Sequence, residues 1–173
     1  MVVIDPQAVQ RLERLRLMVE QYCEQRSDVI PLVLGYSQDG TGWSWGVLVE
    51  LPNNRSFDWS GRALDEVMGF SAQFPPRYLP GEQPVELPDV PAAAEIAEQL
   101  ARIEEVLDGS EVSPSTDHYG ELCLYYHYGP TSWLWRMEAY HPAQKVLMAE
   151  GADLRELIRR ADVYFHRATL LSA

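Results

Sequence analysis

The chain has 173 residues, of which 46% are hydrophobic, 23% charged and 10% aromatic. Those proportions exclude a disordered chain and allow a core that buries about 70% of the unfolded surface. Fourteen Lys and Arg against 26 Asp and Glu leave a formal charge of −12, a sign that repels nucleic-acid phosphates and anionic lipid and speeds encounter with a basic partner.

The excess is local, because from Glu82 to Glu121 eleven acids stand against one base, Arg102. Met1 to Pro6 has neither a basic n-region nor a long apolar run, and no stretch approaches about 18 apolar residues, so a cytoplasmic protein with no membrane span is expected. Cys23 and Cys123 form no CxxC pair or metal-spaced cluster and read as buried thiols.

Shifted by 90 residues without gaps, Pro31 to Met68 overlays Glu121 to Ile158 with ten identities, including Tyr36/Tyr126, Trp43/Trp133, Trp45/Trp135 and Gly61/Gly151. Composition alone gives about two or three. The pattern predicts an α+β protein made by tandem duplication of an α-β-β-β-α unit, with antiparallel sheets packed on helices and the units related by a pseudo-twofold axis. The expected division is a first unit at 1–68, a Pro-rich connector at 69–91 packed on the surface, and a second unit at 92–173.

The first helix is expected from the Asp5 cap and Pro6 to about Arg26, with Val9, Leu12, Leu15, Val19 and Tyr22 on one face. Strands follow at Val29 to Tyr36, Trp43 to Leu51 and Arg55 to Trp59, the turn Pro52-Asn53-Asn54 separating the last two. Period-two alternation sends Trp43, Trp45, Val47 and Val49 to a buried face and Ser44, Gly46 and Glu50 to a wetter one. A closing helix follows Gly61.

Six prolines between Pro75 and Pro91 forbid a continuous helix or central strand in the connector. The second unit's helix runs from Ala92, after Pro91, to Asp108, with Ile96, Leu100, Ile103 and Leu107 inward and Glu95, Glu98, Glu105 and Asp108 outward. Here the better offset is 88, pairing Leu12 with Leu100 and Leu15 with Ile103. A polar loop from Ser110 to His118 leads to strands Glu121 to Tyr128, Trp133 to His141 and Lys145 to Ala149, and a last helix from Asp153 to about His166.

Catalytic signatures are not found. His118, His127, His141 and His166 match no metal-ligand spacing, and neither a phosphate loop nor a nucleophile elbow occurs. Cys123 and His127 share a strand face but lie about 13 Å apart along it, beyond hydrogen-bond reach. The acid pairs Glu104-Glu105 and Asp65-Glu66 read as solvated helix faces. No catalytic residue, metal ligand or cofactor is therefore assigned.

The size and charge resemble those of small acidic secretion chaperones and bacterial immunity proteins. The expected function is a non-enzymatic protein-binding module of inhibitor, immunity, chaperone or adaptor type, presenting Glu95, Glu98, Glu105, Asp108 and Glu111 to a basic protein. Direct nucleic-acid binding and membrane association are not expected, and self-association is compatible with a duplicated build. An alternative is a small-molecule binder or enzyme with an aromatic cleft between the repeats, using Trp43, Trp133, His127 and His141. A phage-type anti-defence protein or nucleic-acid mimic, its carboxylates imitating phosphates, is a second alternative.

Overall fold

A computed structural model describes residues 1–71, 87–110 and 121–171. The elements run α1 (Pro6–Tyr22), β1 (Leu32–Asp39), β2 (Gly42–Leu51), β3 (Arg55–Gly61), α2 (Leu64–Ser71), α3 (Ala93–Asp108), β4 (Leu122–Tyr128), β5 (Trp133–Ala139), β6 (Leu147–Gly151) and α4 (Leu154–Leu171). The connector from 72 to 86, the polar loop from 111 to 120, and with them His118 and Glu111, lie outside the described residues.

The α+β class holds, with one correction to the sheet. Instead of one sheet per unit, all six strands form a single antiparallel sheet of order β3-β2-β1-β4-β5-β6. The halves meet where β1 pairs with β4, Leu34 opposite Leu124 and Leu32 opposite Tyr126. An isolated three-stranded unit would leave the apolar strand β1 as an edge. Pairing β1 with β4 removes both edges at once.

Registers correspond across the halves. Trp45 stands opposite Tyr36 and Gly61, as Trp135 stands opposite Tyr126 and Gly151. One face of the sheet carries Leu34, Tyr36, Trp45, Val47, Leu124, Tyr126, Trp135 and Met137, all buried in one core with residues of all four helices. The alternation expected for β2 and β5 is thus observed.

The opposite face is drier at its centre than that alternation implies. Val33, Cys123 and Tyr125 form a second small buried cluster with Ile30 and Leu48 against it, and Glu121, His127 and Glu138 are also buried. Glu138 is stabilised there by the Tyr140 hydroxyl, which donates over 2.8 Å, and by Arg136 at 3.3 Å.

Element ends shift for local reasons. Asp5 caps α1 by accepting from the Gln7 N–H at 2.9 Å, with Pro6 at the first helical position. The helix stops at Tyr22, short of Arg26, because Cys23 turns extended and no apolar residue continues the stripe. Strand β1 starts after Pro31, which has no N–H for the ladder, and it runs to Asp39 because Gly40-Thr41 closes a two-residue hairpin onto Gly42. Gly42, at φ 128°, adopts a conformation that side chains disfavour. Asn53 and Asn54 both take left-handed backbone at the β2–β3 turn, a region asparagine tolerates. Helix α4 passes His166 to Leu171, since buried Ala168 extends its apolar stripe by a turn. No helix among the described residues is long and apolar enough to cross a membrane.

Candidate functional site

Two aromatic clusters on the helix-covered face organise the molecule. Tyr36 stacks on Trp43 at 5.2 Å and tilts against Trp45 at 4.6 Å, while Tyr126 stacks on Trp133 at 5.7 Å and tilts against Trp135 at 4.8 Å. Trp45 and Trp135 are fully buried, and Trp43 and Trp133 are half-buried at the margin of the core. Because β1 and β4 are antiparallel, Tyr36 and Tyr126 lie four residues apart along the central pair, about 13 Å. The clusters therefore point to opposite ends of the sheet.

Each cluster is closed by a helix from the other half. Tyr36 donates to Asp108 Oδ1 at 2.6 Å and Trp45 Nε1 to Glu104 Oε1 at 2.7 Å, both acceptors on α3. Tyr126 donates in turn to Glu20 on α1 and accepts from Arg16 Nη1 at 3.1 Å, and that guanidinium lies over the tyrosine ring. Burial pushes the Tyr36 and Tyr126 hydroxyls well above their ordinary pKa, so both stay protonated donors. The expectation for Glu104 is corrected: it is buried, held by an indole N–H. Burial raises its pKa, with Asp108, Asp65 and Glu105 adding repulsion against the Trp45 bond.

The outward residues of α3 lie where helical periodicity put them. Glu98, Glu105 and Asp108 are exposed and Glu95 is half-exposed, while Ile96, Leu100, Ile103 and Leu107 are buried. Glu95 pairs with Arg155 at 3.0 Å, Glu98 with Arg102 at 3.2 Å, and Glu105 accepts from the Val2 N–H at 2.5 Å. Asp65, on α2 of the first half, bears on Glu104 beside Asp108. The acidic surface thus draws on both halves, which no linear count of charge reveals.

The four residues grouped as an aromatic cleft are not brought together. Trp43 and Trp133 lie on the helix-covered face at opposite ends of the sheet, whereas His127, opposite Leu134, lies on the other face with its Nε2 3.9 Å from Glu150. His141 sits beyond the end of β5, its Nδ1 accepting from the Ala143 N–H at 3.1 Å, and burial lowers its pKa.

Only Trp133 of this set lines a described cavity. That cavity, of about 410 Å³, lies between α1, the start of α3 and the β6–α4 junction, with Glu20, Tyr126, Trp135, Asp153 and Arg155 around it. A wider groove of about 620 Å³ lies beside Cys23, Glu50 and the Asn53-Asn54 turn; burial raises the Cys23 thiol to about 11, which keeps it protonated and a weak nucleophile. Among the described residues no group of three or more His, Cys, Asp or Glu is placed to hold a metal ion. No protein-family model, curated protein or solved structure matches the chain.

Proposed function

We propose that the protein is a non-enzymatic binding module that presents the outer face of α3 to a basic protein partner. The observation that carries this reading is the row of acids on that face, with Glu98, Glu105 and Asp108 exposed and Glu95 half-exposed on α3, and Asp65 of α2 close enough to act on Glu104. Arg102 and Arg155 offset part of that charge, and a basic partner would offset more of it. The reading includes a tandem duplication with pseudo-twofold related halves, supported by the matching registers of β1-β2-β3 and β4-β5-β6, and a cytoplasmic location. Glu111 belongs to the proposed surface by sequence.

Fluorescence anisotropy with a labelled Lys/Arg-rich peptide tests the reading. Affinity is expected to fall as salt rises, and Glu98→Gln with Glu105→Gln to slow association several-fold, most at low ionic strength. Salt-independent binding, or an on-rate unchanged by the double substitution, sinks the proposal.

A further inference from the structure

The equivalent tryptophans differ in one respect. Trp45 Nε1 is satisfied by Glu104 from within the fold. At the register-equivalent place Trp135, 1% exposed, lines the 410 Å³ cavity, and its Nε1 meets no acceptor among the described residues. Offset 88 explains why: the position equivalent to Glu104 is Arg16, a donor, whose guanidinium is already taken by Glu13, Glu20 and Tyr126. That indole N–H is not among the sealed, unpartnered atoms of the described residues, so it is a donor that an outside acceptor can reach.

The rest of the cavity adds a second requirement. Trp133 lies two residues along the same strand and the same face as Trp135, about 7 Å away, half-buried with Tyr126 stacked on it. Carboxylates of Glu20, 30% exposed, and Asp153 stand at the rim. Of the lining guanidiniums, Arg16 is neutralised by Glu13 and Glu20, and Arg155 by Glu95. What remains is a net negative, aromatic-walled recess with the Trp135 indole in its lining.

We propose that this recess receives an arginine side chain of the basic partner. The guanidinium lies over Trp133 and bonds Asp153 and Glu20, and a backbone carbonyl of the same segment accepts from Trp135 Nε1. Planar guanidinium suits an aromatic wall flanked by carboxylates better than ammonium does, and the fold itself already sets Arg16 over Tyr126 and Arg136 over Tyr125, at 5.5 and 4.6 Å from the ring centres. This inference rests on the proposed function, since it names where that partner is anchored.

The test uses two end-blocked peptides of equal charge and length, one with arginine and one with lysine as its only basic residue type. Titration against the full chain, followed by peptide anisotropy, is expected to show the arginine peptide binding about five- to tenfold tighter. Two variants keep the test independent of folding accidents. Trp133→Leu removes the wall, and Gly151→Val adds bulk opposite Trp135, where a Cβ meets nothing within 4 Å; thermal melts confirm that each is folded. Loss of the arginine preference in both supports the site. Equal affinity for both peptides in the unchanged chain overturns the recess and leaves the acidic-surface reading standing. Binding of neither peptide overturns both, and a preference that survives both substitutions places the arginine elsewhere.

Discussion

Trp45 and Glu104 are 59 residues apart in sequence and joined by a 2.7 Å indole-to-carboxylate hydrogen bond. Removing the carboxylate with Glu104→Ala leaves a buried N–H unpaired and is expected to cost about 1–3 kcal/mol. Glu104→Gln keeps an acceptor and removes the like-charge repulsion, so urea unfolding at neutral pH should find it no less stable than the natural chain. Equal losses for both variants would assign the effect to packing alone.

The buried glutamates also set a pH signature. Burial raises the pKa of Glu104 and, on the opposite face, Glu121. A carboxyl whose folded pKa exceeds its unfolded value contributes stability below the unfolded value and loses it as pH rises through the folded one. Glu121→Gln should therefore gain stability relative to the natural chain near pH 7.5 and show little gain near pH 4. Denaturant melts at about these two pH values check the sign; a gain confined to acid would contradict it.

Core and margin tryptophans should separate cleanly. Trp45→Ala and Trp135→Ala each empty a fully buried site and are expected to destabilise by about 3–5 kcal/mol. Trp43→Ala and Trp133→Ala, half-buried, should cost distinctly less. Thermal melts of the four variants decide this, and indistinguishable losses would place all four tryptophans in equivalent packing.

Neither half should fold alone. Residues 1–71 lack Asp108 and Glu104, which close Tyr36 and Trp45, and residues 92–171 lack Glu20 and Arg16, which close Tyr126. Each would also expose its central strand as a new edge. Circular dichroism of the separate pieces is expected to show no cooperative melt, with structure returning when they are mixed.

Thiol chemistry gives a compact check on burial. Cys123 is sealed and Cys23 is half-buried with its thiol raised to about 11. At pH 8 a group of that pKa is about one part in a thousand thiolate, so alkylation of the folded chain should be far slower than of the unfolded one.

Much of the fold was legible because two periodicities coincide. Alternation in Trp43 to Val49 and the 90-residue repeat each locate the same buried face, and helical spacing divided α3 correctly for Ile96, Leu100, Glu98 and Glu105. Glu104 was misread because a wheel places it between buried Ile103 and exposed Glu105, and only a tertiary partner decides its side. The single sheet was not legible, since nothing within β1 names β4 as its neighbour. A trace of the crossover was present: offset 88 sets Glu20 on Asp108, the two carboxylates that close the two tyrosines. The cavity beside Trp135 could be found only once Arg16 was seen to replace Glu104.

The crossover also orders events during synthesis. Once Trp45 has left the ribosome, it and Tyr36 wait for Glu104, 59 residues behind Trp45. At about 5–20 residues per second that delay is about 3–12 s. Throughout it an aromatic strand pair is open to chaperones or to a second nascent chain, and a neighbour's α3 on the same message offers the same carboxylates. Pairing between polysome neighbours, with α3 exchanged, is the misassembly this topology invites.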